Sequence, residues 1–294
     1  MPRLASTVFT TFLLLALALP AEAAKRVALV IGNGAYTATT RLENPRNDAA
    51  DMAATLRQLG FEVVEVLDGD WRGMMAAIRE FGDRAAGAEA ALFYYAGHGL
   101  QVGDTNYMLP IAAELVKEQD LEFEAVEVGL PLRLMDSAGA KVKLVILDAC
   151  RNNPLAQTLA SSMASSGRDV TVGRGLARLV GAEGTLMAFA TAPGAIAEDG
   201  TTRNSPFTRA LLSNIETPGL EVSLLFRRVR AEVMDATGDS QVPWVNEALL
   251  GEFYFVPPAP LATPTTPAPT TAQSAEIVFW NTIQNSTESA NFEA

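Results

Sequence analysis

Short apolar runs alternate with helical patterns along most of the chain, and this alternation constrains the fold more than any other feature. It starts at Lys25 and continues for more than two hundred residues. Such alternation is typical of a parallel sheet whose two faces are covered by helices, so we expect an α/β fold. The predicted strands are Val27–Ile31, Phe61–Leu67, Ala90–Tyr95, Val142–Leu147, Leu186–Ala190 and a terminal Phe253–Val256; the predicted helices are Asn47–Leu59, Trp71–Ala86, Pro206–Ile215 and Val222–Ala236.

The charge balance bears on the kind of partner. The 294 residues include 22 Lys and Arg against 34 Asp and Glu, a net charge of −12. Nucleic-acid binding needs clustered basic side chains, so we expect no nucleic-acid partner. Cationic peptides or basic proteins fit the charge better. Apolar residues make up 49% of the chain, enough for a substantial core.

Cysteine and histidine each occur once. These counts exclude a disulfide framework and a Cys/His zinc cluster, and the HExxH motif of zinc peptidases is absent from the sequence. We expect no metal site built from such ligands and no cofactor.

The first residues are typical of an export signal. An apolar run, Val8–Leu19, is broken by Pro20, and Ala21-Glu22-Ala23 fits a small-x-small cleavage pattern. An uncleaved anchor is the alternative, but about 12 apolar residues fall short of the ~20 that span a bilayer. We therefore predict a signal peptide over 1–23, a periplasmic or secreted protein, and no stable membrane span after its removal.

Composition divides the rest of the chain. The folded domain is predicted over 25–256. Within it, residues 155–184 are rich in Ala, Ser and Gly, typical of a mobile surface connection. Residues 257–275 contain many prolines and threonines, which predicts an extended linker. Residues 276–294 are a short tail that begins an apolar pattern and stops.

The two singletons follow two predicted strands. His98 follows the third strand and Cys150 the fourth. Ligands of open parallel sheets bind at the carboxyl ends of the strands, and neighbouring strands lie about 4.8 Å apart. A thiol beside an imidazole is the minimal pair for nucleophilic acyl transfer. The alternative is that each is an ordinary packing residue, since a lone Cys is commonly a small buried apolar group.

The motifs around these positions resemble the active-site pair of caspases, metacaspases and paracaspases. The resemblance runs from Lys25 to about Val256, and it includes the bacterial proteins of this type, which are often exported. The motifs that carry it are Tyr94-Tyr95-Ala96-Gly97-His98-Gly99, Asp148-Ala149-Cys150-Arg151, Ala28-Leu29-Val30-Ile31-Gly32-Asn33, Asn47-Asp48-Ala49, Leu59-Gly60-Phe61-Glu62-Val63 and Thr191-Ala192-Pro193-Gly194.

The resemblance implies a fold, a reaction and residue roles. The fold is a three-layer sandwich, a six-stranded and mostly parallel sheet between helices, with a large-subunit-like part over 25–154 and a small-subunit-like part over 185–256. The reaction is peptide hydrolysis through an acyl-enzyme. His98 is the general base or acid and Cys150 the nucleophile. The backbone N–H groups of Gly99 and Cys150 form the oxyanion hole.

Three carboxylates stand where the family pattern bears on substrate selection. Caspases cut after aspartate with a pocket of two arginines and a glutamine; here the glutamine position is Asp148 and one arginine position is Asp199. Asp48 matches an acidic residue of metacaspases. Such a pocket attracts Arg or Lys and repels Asp, so we predict cleavage after basic residues. Alternatively, Asp48 favours its helix N-terminus and Asp199 belongs to an ordinary turn.

Related proteins often mature by cleavage between their two halves. The corresponding stretch offers Arg168, Arg174 and Arg178 as candidate processing sites, although arginines in a Ser/Gly-rich loop also serve solubility. Some metacaspases need calcium, and calcium dependence stays open here.

Two other functions are alternatives to a peptidase. A caspase-like domain can serve as a binding or scaffold module with weak or no turnover, and the linker and tail are compatible with a modular protein. The tail resembles the opening of a helical repeat of some bacterial relatives. A dinucleotide-binding domain, prompted by Gly32-Asn33-Gly34 after the first strand, is disfavoured because the position of the third glycine of its fingerprint is Thr37.

Overall fold

The computed structural model describes residues 24–150, 154–165, 172–173, 183–192, 195, 197–259, 278–280 and 282. The chain divides into two compact units, Met1–Pro257 and Pro258–Ala294. In the second unit residues 278–280 and 282 are helical, and the Phe279 and Trp280 rings meet edge to face at 5.9 Å. The predicted signal peptide, most of the predicted linker and the rest of the tail lie outside the described residues. No helix among the described residues is long and apolar enough to cross a bilayer.

A six-stranded sheet organises the first unit. Its order is β2-β1-β3-β6-β8-β9, and every neighbouring pair is parallel except β8 and β9. The predicted α/β class with a mostly parallel six-stranded sheet is confirmed; three short strands, β4, β5 and β7, extend it beyond the end of β3. In chain order the strands are β1 (Arg26–Gly32), β2 (Glu62–Leu67), β3 (Ala90–Val102), β4 (Thr105–Met108), β5 (Val126–Glu127), β6 (Val142–Cys150), β7 (Val172–Gly173), β8 (Thr185–Phe189) and β9 (Trp244–Glu247).

Helices cover both faces of this sheet because its strands alternate buried side chains between two apolar clusters. Ala28 and Val30 pack with α1, α6 and α7 on one face, whereas Leu29 and Ile31 pack with α2 and α4 on the other. The helices are α1 (Pro45–Gln58), α2 (Trp71–Arg84), α3 (Leu121–Glu124), α4 (Gly129–Ser137), α5 (Pro154–Ser165), α6 (Pro206–Ile215) and α7 (Val222–Thr237). A 3-10 turn, Glu118–Asp120, precedes α3.

A third apolar cluster lies beyond the carboxyl end of the main sheet. Leu100 and Val102 on the extension of β3 pack there with Leu159 and Met163 of α5 and with Tyr36 of the β1–α1 loop. This cluster gives the loops at the strand ends a core of their own, so side chains at the strand ends are held on a packed support.

The last strand lies at another place than predicted. Phe253–Val256 forms no strand; Tyr254 makes a single bridge to Glu221, while Phe253 and Phe255 are buried in the core. The edge position is taken instead by β9, antiparallel to β8. Aromatic side chains at alternating positions imitate a strand, but here they fill the space beside α7 and β1.

The segment predicted as a surface connection, 155–184, instead begins with nearly all of helix α5 (Pro154–Ser165). In α5, Leu159 and Met163 are spaced by four residues and are almost completely buried, so one helical stripe has a core to pack on. Composition alone did not indicate this stripe because Ala and Ser dominate around it.

Candidate active site

His98 and Cys150 are direct partners on adjacent strands. β3 and β6 are parallel, and their register pairs His98 with Cys150 at the end of β6. The sequence predicts both residues just past their strands, whereas the structure includes both within them. The side chain of Cys150 lies outside the described part of the chain. The backbone register alone brings the two positions to the strand separation of about 4.8 Å.

The imidazole of His98 is oriented by a backbone carbonyl. Nε2 lies 2.7 Å from the Thr40 oxygen, and the residue is 2% exposed. A carbonyl can only accept, so this contact places the proton of a neutral ring on Nε2. Within the described residues Nδ1 is buried without a hydrogen-bond partner. Nδ1 is therefore the nitrogen that can take up a proton.

Burial keeps this ring neutral. Desolvation lowers the pKa of His98 below its ordinary value of 6.5, opposed by the hydrogen bond to Thr40 and by the negative charge of Asp199. At neutral pH the neutral, proton-accepting form therefore predominates.

All three predicted carboxylates lie near one another. Asp48 in the first turn of α1 and Asp148 near the end of β6 are buried, whereas Asp199 is half-buried on the loop after β8. Each interacts electrostatically with at least one of the others, and Asp199 also interacts with His98. The carboxylates thus form one electrostatic group beside the histidine.

The start of α6 holds Asp148 through two hydroxyl groups. Ser205 Oγ donates to Asp148 Oδ2 at 2.5 Å and Thr208 Oγ1 donates to the same oxygen at 2.7 Å. Behind them the Tyr94 hydroxyl lies 2.5 Å from Thr208 Oγ1 and donates to it, because the Thr208 proton is committed to Asp148. The Ser205 N–H donates to Asp48 at 3.1 Å. The helix N-terminus therefore stabilises negative charge on both carboxylates.

These hydrogen bonds only partly offset the cost of burial. Desolvation, followed by the charge of Asp148, raises the pKa of Asp48 to about 8. Desolvation also raises the pKa of Asp148 to about 6, against the hydrogen bonds from Ser205 and Thr208. Among the described residues no Lys or Arg forms an ion pair with Asp48, Asp148 or Asp199. No described ion pair neutralises the negative charge of this group; Arg203 interacts electrostatically with Asp48 but forms its ion pair with Asp51.

Asp199 is tied to the entrance of α1. Its Oδ2 accepts from the Glu43 N–H at 3.1 Å, and its carbonyl accepts from the Asn44 side chain. Farther along the same loop, the Arg203 guanidinium forms a bidentate ion pair with the Asp51 carboxylate of α1, with N–O distances of 2.8 and 2.9 Å. The loop between β8 and α6 is thus held at two points, by Asp199 just before α1 and by Arg203 on α1 itself.

Several predicted residues are not placed by the structure. Arg168, Arg174 and Arg178 lie outside the described residues.

Gly99, in contrast, is placed by the structure. It lies on β3, one residue past His98, and pairs with Met108 of β4. Within the described ranges no three His, Cys, Asp or Glu side chains form a group that could hold a metal ion.

The sequence analysis did not identify the groups that hold the predicted site residues His98 and Asp148 in place. Ser205 was recognisable, because Ser before Pro206 is a typical N-cap and its Oγ accepts from Thr208 N–H. The Thr40 carbonyl carries no signal at all in a sequence, since every residue has one. Tyr36, whose ring lies 4.5 Å from the His98 ring, is marked by no motif.

A parallel sheet with the only histidine opposite the only cysteine defines a cysteine peptidase-like α/β protein. Comparison with known proteins gives the family. A family model described as a caspase domain matches residues 25–254, and the chain belongs to the caspase domain family of cysteine peptidases. The resemblance noted from the motifs is thereby confirmed.

Two curated relatives share part of this region. Mucosa-associated lymphoid tissue lymphoma translocation protein 1 of Homo sapiens and its homolog of Mus musculus are each 33% identical to the chain over 126 residues. The aligned stretch is 43% of this chain and 15% of each relative's length.

Proposed function

We propose that this protein is a cysteine endopeptidase that hydrolyses peptide bonds after Arg or Lys. The observation that carries the proposal is the register of β3 and β6, which sets His98 opposite Cys150. Membership of a peptidase family makes proteins or peptides the substrates. The basic preference is drawn from the electrostatics of the carboxylates.

The proposed reaction uses His98 and Cys150 in two half-reactions, acylation and deacylation. His98 Nδ1 takes the thiol proton and the Cys150 sulfur attacks the peptide carbonyl carbon. The C–N bond then breaks as His98 returns the proton to the leaving amine, which leaves a thioester. Water, deprotonated by His98, attacks that thioester and releases the acid and the thiol. The Nε2 contact with Thr40 supports this direction of proton transfer, because it leaves Nδ1 as the accepting nitrogen.

Backbone groups at the same place are proposed to stabilise the oxyanion. The Leu109 N–H, next to the end of β4, donates to the His98 carbonyl, so the His98 carbonyl faces the β4 side of β3. Along an antiparallel strand, residues whose polar backbone groups face the partner strand alternate with residues whose groups face away from it. Gly99, paired with Met108, therefore directs its N–H away from β4. Together with the Cys150 N–H it can act as an oxyanion hole.

Substrate selection is proposed to rest on Asp148, Asp48 and Asp199. Two buried carboxylates whose pKa values are raised by burial gain most from a cation that enters the group, because it offsets both desolvation and mutual repulsion. An aspartate side chain would add a further like charge. Arg is favoured over Lys, since its planar guanidinium can bond two oxygens at once.

Export and maturation are further proposals from the sequence. Residues 1–23 are proposed to be a signal peptide that directs the protein to the periplasm or outside the cell. A mature chain beginning at Ala24, found by mass spectrometry, is the expected result.

Self-cleavage at Arg168, Arg174 or Arg178 is expected in the active enzyme and is expected to be lost in Cys150→Ala. An intact chain after long incubation of the active enzyme would contradict self-cleavage.

The test of the main proposal uses three fluorogenic peptides that differ only in Arg, Lys or Asp before the scissile bond. We expect turnover of the Arg peptide, then the Lys peptide, abolished in Cys150→Ala. Asp148→Asn is expected to lower kcat/KM for the Arg peptide about tenfold or more, since a charge-assisted pair is lost. Asp83→Asn, on an exposed position of α2, is the matched control and should change nothing.

Each other outcome has a separate meaning. Cleavage of the Asp peptide keeps the dyad and overturns the role of the carboxylates. Silence on all three peptides, with and without calcium and after proteolytic nicking, contradicts the enzyme and favours a caspase-like binding or scaffold module.

A further inference from the structure

Gly97 occupies a position where a side chain has no space. Its φ of +151° lies outside the range that side-chain-bearing residues readily adopt. A Cβ there would lie 2.7 Å from the Tyr36 hydroxyl and 2.7 Å from the Tyr95 hydroxyl. The glycine before His98 therefore makes room for two phenol groups that converge on one point of β3.

These hydroxyls hold both polar groups of the His98 backbone. The His98 N–H donates to Tyr36 Oη at 2.7 Å, and Tyr95 Oη donates to the His98 carbonyl at 2.6 Å. The two oxygens lie 3.3 Å apart. All three residues are at most 3% exposed, so water cannot substitute for either contact without repacking.

The same loop that supplies Tyr36 also holds the imidazole. The Tyr36 ring lies 4.5 Å from the His98 ring at an interplanar angle of 44°, and Thr40, four residues on, provides the carbonyl at Nε2. Asp68 fixes the start of this loop, because its Oδ1 accepts from the N–H groups of Gly34 and Ala35 at 2.9 Å. The backbone N–H and the ring of His98 are thus both held by this one loop.

We propose that Tyr36 and Tyr95 are positioning residues that set the orientation of His98 for proton transfer, with Gly97 as the space they require. This inference rests on the proposed role of His98. A general base displaced by about 1 Å can lose about a hundredfold in rate. The pairing of β3 with β6 ends at His98, so the two phenols add hydrogen bonds to its backbone at the point where the main sheet stops holding the strand.

The test uses Tyr36→Phe and Tyr95→Phe, each of which removes one hydroxyl and keeps the ring. We expect each to lower kcat for the Arg peptide about tenfold or more while KM changes less than about twofold, because orientation and not binding is disturbed. Tyr254→Phe is the matched control; its hydroxyl donates to the exposed Glu252 carboxylate at 2.7 Å. It should leave kcat unchanged.

Two further measurements do not depend on turnover. Each reports on one residue only, because the chain has one histidine and one cysteine. By NMR, the His98 amide should lose protection from hydrogen exchange in Tyr36→Phe, and the ring resonances should shift. The pH profile of iodoacetamide alkylation of Cys150 should move in both variants. Thermal unfolding checks that each variant is folded.

The outcomes separate this inference from the proposed function. A wild-type protein that cleaves nothing contradicts the peptidase, while the NMR and alkylation measurements still decide on the two tyrosines. Unchanged His98 resonances and an unchanged alkylation profile in both folded variants overturn the inference, whatever the activity. A fall in melting temperature alone, with kcat and the alkylation profile preserved, also overturns it, since it marks the phenols as mere packing groups.

Discussion

Ser205 caps α6 and binds Asp148 with one hydroxyl. Its Oγ accepts from the Thr208 N–H at 2.9 Å and donates to Asp148 Oδ2 at 2.5 Å. A hydroxyl has one proton and two lone pairs, so it can serve both partners at once. The first turn of a helix is thereby joined to a carboxylate at the end of the central strand, two residues before Cys150. Helix stability and the ionisation of Asp148 are coupled at this contact.

Replacing this hydroxyl should affect both properties. Ser205→Ala loses a cap and a hydrogen bond to a carboxylate, and we expect the free energy of unfolding to fall by about 2 kcal/mol. The pKa of Asp148 should rise further, because the Ser205 bond lowers it. KM for the Arg peptide should therefore increase at pH 6 to 7. Denaturant unfolding and peptide kinetics measure the two effects.

Ser213→Ala is the control for this experiment. Ser213 lies on the same helix, and its hydroxyl donates to the Arg209 carbonyl on the exposed side. It should change neither quantity measurably. Equal KM values in Ser205→Ala and Ser213→Ala would contradict a role of Asp148 in substrate binding.

The buried Asp48 should make the protein less stable as pH rises. Burial raises the pKa of its carboxyl from 3.8 to about 8 in the folded protein, so the folded state binds more protons than the unfolded state between these values. Its contribution to stability is full below pH 3.8 and is lost as pH rises through about 8. Asp48→Asn removes the ionisation, and we expect its melting temperature relative to wild type to increase from pH 5 to pH 8.5.

Asp120→Asn provides a control of opposite sign. Backbone N–H groups of Lys117 and Val116 lower the pKa of the Asp120 carboxyl, so its charge is favourable in the folded protein. This variant should lose stability at neutral pH and not gain it. Calorimetry over the pH series decides; a melting-temperature difference for Asp48→Asn that does not change with pH contradicts the electrostatic account.

The main sheet could be predicted from sequence because its interior strands are buried on both faces. Such strands are continuous apolar runs, and Val27–Ile31 and Val142–Leu147 stand out for that reason. The edge strand β9 follows Pro243 and is partly exposed, so no apolar run marks it. Edge strands depend on a neighbour's unpaired backbone, which a local pattern does not record.

The candidate site divides in the same way. His98, Cys150 and the three carboxylates could be named because rare or charged residues stood at motif positions. Their supports could not, because the Thr40 carbonyl and the Tyr36 hydroxyl act through positions that only the tertiary fold brings together. Sequence identifies reactive groups more readily than the groups that orient them.

The ion pair between Arg203 and Asp51 should affect substrate binding more than stability. It fastens the loop that carries Asp199 to α1, and Arg203 is exposed, so little stability depends on it. Arg203→Ala should raise KM for the Arg peptide about threefold, leave kcat unchanged and lower the melting temperature little. Arg57→Ala, which removes an exposed ion pair between Arg57 and Glu65 elsewhere, is the control and should leave KM unchanged. A change in kcat with constant KM would contradict the prediction.

The single histidine allows its ionisation to be followed directly. Burial lowers the pKa of His98 below 6.5, and the charge of Asp199 acts in the opposite direction. An NMR titration should therefore show a midpoint below 6.5 in the wild type and a still lower one in Asp199→Asn. Asp83→Asn, exposed on α2, should leave the midpoint unchanged. Because the folded pKa is depressed, the stability that the neutral ring contributes is present above 6.5 and is lost as pH falls through the folded value. A midpoint at or above 6.5 would contradict the effect of burial. A midpoint well above 7 would leave the ring charged at neutral pH, and the direction of proton transfer from Cys150 to Nδ1 would have to be abandoned.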